Sequence, residues 1–153
     1  NNAVAICRNV VDTVEKIKQT SASVLFQTSL ENLEIYTDEA RLQQLLINLL
    51  INATKFTTEG SITLSLEKQS EEVALFAVSD TGCGIAPEKQ GAIFNRFEKL
   101  NENAQGSGLG LSICQLIVER FGGKIWIDPE YKNGSRFLFT HPIVSTSRKE
   151  VSE

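Results

Sequence analysis

Three short segments constrain this chain more than any other feature of its sequence. Residues 48–55 place two asparagines and a lysine in a leucine-rich run, residues 80–85 place an aspartate before alternating glycines, and residues 106–110 alternate glycines before a second apolar run. Each segment alone is a common feature of globular proteins. In this order and spacing, the three together indicate a nucleotide pocket in a fold that mixes helices and strands.

The spacing of apolar residues predicts the secondary structure. Positions three and four apart predict helices over residues 4–19, 39–56 and 109–121, with Asp38 as N-cap of the second and a short further helix over 87–94. Alternation predicts strands over 24–28, 33–37, 62–67, 73–79, 124–128 and 135–140. We therefore expect an α+β fold, a two-layer α/β sandwich whose mixed, mostly antiparallel sheet is covered on one face by helices.

The third predicted helix is apolar on most of its positions. Its inward face is predicted to consist of Leu109, Ile113, Leu116, Ile117 and Phe121, and a glycine pair, Gly122 and Gly123, is expected to end it. The polar stretch before it, residues 98–105, is expected to form a mobile loop.

Length and composition narrow the classes of protein. The 153 residues predict one domain over 1–144 and a polar, disordered tail over 145–153. The net charge of −4 argues against a nucleic-acid binder, and no apolar run approaches the roughly 20 residues of a membrane span. The chain lacks methionine, so we expect it to be a domain of a longer protein. Three cysteines, Cys7, Cys83 and Cys114, fit neither a disulfide framework nor a zinc motif and indicate reduced thiols in the cytoplasm.

Asn48, Asn52 and Lys55 fall within about 60° of one another on the second helix. Amide oxygens are hard ligands that suit Mg²⁺ shared with phosphates, and a lysine one turn on can offer its charge to those phosphates. A solvated helix face is the alternative, although asparagine is a poor helix former.

Asp80 lies where a strand ends in a turn. Its carboxylate can accept a hydrogen bond from an exocyclic amine such as that of adenine, whereas the oxygen of guanine would repel it. Gly82 and Gly84 allow the backbone to approach a flat ring closely. Taken alone, this motif would more commonly be an ordinary aspartate-containing turn after a strand.

Gly106, Gly108 and Gly110 precede the third helix, and backbone amides at a helix N-terminus suit a phosphate. The spacing is neither the dinucleotide fingerprint nor a Walker loop. A flexible linker is the alternative, which the leucines between the glycines disfavour.

Arg96, which precedes this glycine segment, is placed to reach phosphate or to face solvent.

These segments resemble the catalytic and ATP-binding domain of bacterial sensor histidine kinases, in the superfamily that also contains gyrase, mismatch-repair and heat-shock-chaperone ATPases. Residues 48–55 resemble the N box, 80–85 the G1 box, 94–97 the F box and 106–110 the G2 box, and the likeness runs from about residue 4 to 142. It implies a Bergerat-type sandwich that binds ATP and Mg²⁺ under a lid at 98–107.

The resemblance also assigns roles within the site. It implies that Asn52, helped by Asn48, binds Mg²⁺ and that Asp80 recognises the amino group of adenine. It also implies that Lys55 and Arg96 contact phosphates. The full set implied to bind nucleotide is Asn48, Asn52, Lys55, Asp80, Gly82, Gly84, Ile85, Arg96, Phe97, Gly106, Gly108, Leu109 and Gly110. Ser135 stands where the family has serine or threonine, with no role assigned to it.

The resemblance further implies a histidine acceptor on a separate dimerisation domain and a response regulator receiver domain as partners. His141, the sole histidine, has no acid beside it and is expected to be structural or exposed. No catalytic residue is therefore predicted within the chain, which should be a monomer that binds ATP without phosphorylating itself.

Two alternatives stay open at this stage. A gyrase-like or chaperone-like conformational ATPase would carry a glutamate as general base where this chain has Asn48, and an amide cannot take that proton. A degenerate module that serves only interaction is disfavoured because the positions needed for binding are all present.

Overall fold

Helices on one side of a mixed sheet form the described part of the molecule. The computed structural model describes residues 1–57, 59–82, 109–128, 131 and 134–143. Within these, the helices are α1 (Ala3–Ile17), α2 (Glu39–Phe56) and α3 (Leu109–Phe121). The strands are β1 (Ser23–Thr28), β2 (Ser61–Ser70), β3 (Val73–Asp80), β4 (Ile125–Ile127) and β5 (Ser135–Pro142).

The five strands form one sheet in the order β1-β2-β3-β5-β4. β1 and β2 are parallel and the other neighbours antiparallel, which confirms the predicted mixed, mostly antiparallel sheet. Alternate residues of β2 and β5 are buried, and the rings of Phe76 and Phe139 stack 4.6 Å apart in the core. The polar–apolar alternation of these strands thus arises because one sheet face lies under the helices.

The predicted start of α2 is confirmed. The Asp38 side chain accepts a hydrogen bond of 3.2 Å from the Arg41 amide and caps the helix. The leucine stripe of α2 is buried, and this helix packs against β2, β3, α1 and α3. α2 therefore lies at the centre of the helical layer, next to the strand that ends at Asp80.

The predicted strand at 33–37 is wrong. The segment contributes only an isolated bridge between Asn2 and Glu34. Its alternation has another cause, because Leu33 and Ile35 are buried where the segment runs along the start of α1. There the Leu33 carbonyl accepts a hydrogen bond from the Ala3 amide at 2.7 Å. The Asn2 side chain accepts one from the Leu33 amide at 3.1 Å.

The inward face predicted for α3 is partly wrong. Ile113 and Leu116 are 38% and 45% exposed and, with Tyr36, line a surface groove. Ile117 is buried as predicted and Phe121 is half-buried, while the other buried positions are Leu111, Ser112, Cys114 and Val118. Because α3 is apolar on nearly every side, its sequence does not fix which arc faces the core.

The predicted end of α3 is confirmed. Gly122 has φ +90°, its amide donates to the Glu119 carbonyl, and the Gly123 amide donates to the Val118 carbonyl. This pair of bonds is the Schellman arrangement, in which glycine adopts the left-handed conformation that ends a helix. The helix predicted at 87–94, the loop at 98–105 and the tail at 145–153 lie outside the described residues.

Candidate functional site

Asp80 lies at the end of β3 and is only 2% exposed. Its Oδ1 accepts hydrogen bonds from the amides of Gly82, at 2.9 Å, and Ser135, at 3.3 Å. Its Oδ2 accepts from the Ser135 hydroxyl at 2.8 Å. A carboxylate has about four acceptor positions, so these three donors fix its orientation and leave one position that no described residue fills.

Ser135, the first residue of β5, is a candidate site residue to which sequence reasoning assigned no role. It is 5% exposed and is the direct cross-strand partner of Asp80. Period-2 geometry turns both side chains toward the helix-covered face. The sequence signal was the position of Ser135 directly after Gly134, but only the pairing of β3 with β5 shows what the hydroxyl contacts.

Gly134 lets β5 approach Asp80 this closely. A Cβ atom built on Gly134 would lie 2.0 Å from the Asp80 carbonyl oxygen and 2.8 Å from its Oδ1. Gly60 has a similar place at the other end of the turn, because a Cβ there would lie 2.1 Å from the Thr81 hydroxyl oxygen. The absence of a Cβ at these two glycines allows the neighbouring strands to approach the turn after β3 closely.

The polar stripe of α2 is built as the helical spacing predicts. Asn48 and Asn52 are half-buried and Lys55 is exposed. The Asn48 amide hydrogen-bonds the Cys114 thiol on α3, whereas the Asn52 side chain has no hydrogen-bond partner within the described part of the chain. A half-buried amide that no described residue bonds fits a role as ligand to Mg²⁺ or as partner of an ordered water. No cluster of three or more acidic, histidine or cysteine side chains suited to a metal occurs among the described residues.

The described residues cover only part of the predicted site. Leu109 and Gly110 form the first turn of α3, which packs against α2, and Gly82 follows Asp80. Gly84, Ile85, Arg96, Phe97, Gly106 and Gly108 lie outside the described residues. The fold therefore brings together the N box helix, the end of β3 and the helix that follows the G2 box.

His141 has a structural role, which is one of the two that the sequence predicts for it. It is 2% exposed, its Nδ1 lies 2.7 Å from the Pro142 carbonyl oxygen, and its Nε2 lies 2.9 Å from the Thr37 hydroxyl. Since a carbonyl only accepts, Nδ1 donates and neutral Nε2 accepts from Thr37. Burial lowers the pKa of His141.

Burial also raises the pKa of the Cys7 and Cys114 thiols to about 12, so both stay protonated and unreactive.

The burial of His141 makes stability depend on pH. Because the folded pKa lies below the unfolded value of about 6.5, the unfolded chain binds the proton first as pH falls. We expect the free energy of unfolding to decrease below about pH 6.5. The protonation of His141 accounts for at most about 1.4 kcal/mol of this decrease per pH unit. Urea unfolding between pH 8 and 5 measures this slope. His141→Gln, which cannot titrate, should show a smaller slope, and equal slopes would contradict the assignment.

Comparison with known proteins agrees with this geometry. Residues 37–145 match the family of histidine kinase-, DNA gyrase B- and HSP90-like ATPases. The chain belongs to this family. The chain is 41% identical over 112 residues to the adaptive-response sensory kinase SasA of Gloeothece citriformis. The aligned region covers 71% of this chain and 28% of SasA.

Solved structures agree as well. The solved catalytic domain of the histidine kinase ThkA is 34% identical in sequence to this chain and superposes with a TM-score of 0.81. The superposition covers 93% of this chain and 95% of that domain. A complex of ThkA with the response regulator TrrA also matches, at 34% identity and a TM-score of 0.78, over 94% of this chain and 41% of that one. The α+β sandwich and the relationship to histidine-kinase catalytic domains are thereby confirmed. No helix in the described ranges is both long and apolar enough to cross a bilayer.

Proposed function

We propose that this domain binds ATP with Mg²⁺ and presents the γ-phosphate to a histidine carried by another domain. The observation that carries the proposal is the buried Asp80 carboxylate, held by Ser135 and Gly82 with one acceptor position that no described residue fills. Such a fixed acceptor suits the 6-amino group of adenine and disfavours the 6-oxo group of guanine.

The other site residues would act on the phosphates. Asn52 supplies for Mg²⁺ an amide that no described residue hydrogen-bonds, and Asn48, already bonded to Cys114, supports it from one turn earlier. When bound, Mg²⁺ would neutralise charge on the phosphate oxygens. Lys55 lies exposed at the end of α2, where its charge can reach a phosphate tail.

Phosphate contacts are also proposed for the loop that leads into α3. Helix N-terminal amides at Leu109 and Gly110 suit an anion. For Gly84, Ile85, Arg96, Phe97, Gly106 and Gly108 the nucleotide role rests on the motifs alone.

Transfer to an external acceptor is favoured over hydrolysis. At the position where a hydrolytic relative would carry a glutamate base, Asn48 has an amide, which cannot accept a proton from water and which hydrogen-bonds Cys114. Phosphoryl transfer needs mainly positioning and charge stabilisation, so a partner that brings its own nucleophile completes the site.

We propose a dimerisation domain with the acceptor histidine and a response regulator receiver domain as the partners. ThkA, whose catalytic domain resembles this chain, forms a complex with the response regulator TrrA. We also propose that residues 1–144 form one monomeric domain of a cytoplasmic assembly, without nucleic acid as a ligand, in keeping with the net charge of −4.

Calorimetric titration tests the nucleotide assignment. ADP and a non-hydrolysable ATP analogue should bind with micromolar affinity, more tightly with Mg²⁺ than in EDTA, and GTP should bind far more weakly. In the same preparation, labelled ATP should leave no phosphohistidine on the chain. Absence of nucleotide binding under every condition would contradict the proposal and favour an interaction module.

Replacement of Asn52 tests the metal assignment. Asn52→Ala should weaken binding of the ATP analogue in Mg²⁺ by about tenfold, the cost of roughly 1.4 kcal/mol expected for one lost ligand, and should change binding in EDTA much less. Asn9→Ala, which removes an exposed asparagine of α1, is the matched control. Equal losses with and without Mg²⁺ would rule out Asn52 as a metal ligand.

A further inference from the structure

A second cross-strand pair lies directly beside the pair formed by Asp80 and Ser135. Ser79 on β3 is opposite Arg136 on β5, one residue along each strand. Successive side chains of a strand point to opposite faces, so Ser79 and Arg136 lie on the face without helices. The end of β3 is therefore fastened to β5 on both faces of the sheet.

Arg136 contacts three separate parts of the chain. Its Nε donates to the Ser79 hydroxyl at 2.9 Å, its guanidinium lies 4.4 Å from the centre of the Tyr131 ring, and one of its terminal nitrogens lies 3.6 Å from Asp128 Oδ2. The Arg136 carbonyl also accepts from the Asp128 amide at 2.9 Å. Arg136 thus joins β3, the segment just after β4, and the connection between β4 and β5.

Among the described residues, β4 pairs with β5 at only three positions near this end of the hairpin. β4 has three residues and forms the edge of the sheet. Gly134 nevertheless lies against the Asp80 carbonyl, and the Ser135 hydroxyl must stay within hydrogen-bond distance of Asp80 Oδ2. Any loosening of the hairpin end would move Ser135 relative to Asp80 and release the carboxylate from its fixed orientation.

We propose that Arg136 is a positioning residue for recognition of the 6-amino group of a purine nucleotide. The inference rests on the proposed function of Asp80 and adds to it a residue on the opposite face of the sheet that none of the nucleotide-binding motifs includes. The guanidinium is suited to this task because its plane stacks on Tyr131 while its fork of donors reaches Ser79 and Asp128. A lysine would keep the charge and lose both the stacking and the fork.

Paired titrations with ADP and inosine diphosphate (IDP) test the proposal, since IDP replaces the 6-amino group by an oxo group. Arg136→Met should weaken ADP binding by about threefold to tenfold, the range for loss of one partly exposed charged cluster, and leave IDP binding nearly unchanged. Arg136→Lys should fall between. Arg8→Met, which removes a guanidinium stacked 5.4 Å from the Phe26 ring near the opposite sheet edge, should leave both affinities unchanged.

The outcomes separate the two hypotheses. If the unaltered chain binds ADP and IDP equally, the proposed function of Asp80 fails and this inference fails with it. If the unaltered chain prefers ADP and the preference persists in Arg136→Met, the inference alone is overturned. Equal weakening of both nucleotides would assign Arg136 to general stability. Thermal melts of each variant check folding, and if Arg136→Met is unfolded, the ratio measured for Arg136→Lys decides.

Discussion

Asp80→Asn should reverse the preference for ADP over IDP that we propose for this chain. The Oδ1 position receives two backbone amides, so the oxygen of the new side chain would take that place. Its NH₂ group would then replace Oδ2, facing the Ser135 hydroxyl, which can rotate to accept, and the nucleotide. Against adenine this puts donor opposite donor, and we expect ADP to bind about tenfold to a hundredfold more weakly. The 6-oxo group of IDP would gain a donor.

Calorimetry with ADP and IDP measures the reversal directly. Asp12→Asn makes the same chemical change on the exposed face of α1 and should alter neither affinity. A thermal melt of Asp80→Asn shows whether the buried amide is tolerated. A folded Asp80→Asn chain that still prefers ADP would mean that the carboxylate does not read the 6-amino group.

The Asp80 site shows how far sequence reasoning extends. The aspartate was predictable because a strand, an acid and two glycines are consecutive in sequence. Its partnership with Ser135 was not, because 55 residues separate the two and only the register of β3 with β5 brings them together. Arg136 lies one residue further on, within residues 133–137, which resemble the closing strand motif of the family, but the sequence assigns it no role because its contacts depend on that same register.

The α3 helix shows a different limit. Caps and breakers are local, so the Asp38 cap and the glycine stop after Phe121 were predicted correctly. The phase of α3 depends on what packs against it, and the small Cys114 side chain faces Asn48 where a bulkier isoleucine was expected. A helix with leucine, isoleucine and valine on most sides offers several arcs of similar hydrophobicity, and α2 decides among them.

The segment at 33–37 illustrates the same point for strands. Alternating burial of Leu33 and Ile35 is real, yet the partner is the first turn of α1 and not a sheet edge. Period-2 alternation reports that one side of an extended chain is covered. It does not report which element covers it.

Gly134→Ala should be the most destabilising single-methyl change in the described site. The added Cβ would lie 2.0 Å from the Asp80 carbonyl oxygen, a backbone atom that cannot move without breaking the pairing of β3 and β5. Overpacking of this kind costs about 1–3 kcal/mol, and the left-handed φ of +155° adds strain. We therefore expect a loss of about 2–4 kcal/mol in the free energy of unfolding, measured in urea, together with loss of measurable ADP binding.

Gly122→Ala separates the two causes. Gly122 also has a positive φ, +90°, but a Cβ there would meet only Pro142 Cγ at 3.6 Å, an ordinary contact. Its cost should be backbone strain alone, about 1–2 kcal/mol, with ADP affinity intact because Gly122 lies beside Pro142, which pairs with Val73 at the opposite end of β3 from Asp80. If both variants lost the same stability and both kept ADP binding, the close approach of Gly134 to Asp80 would not be what holds the carboxylate in place. A selective loss of ADP binding in Gly134→Ala would show that backbone packing behind Asp80 determines how well it recognises the nucleotide.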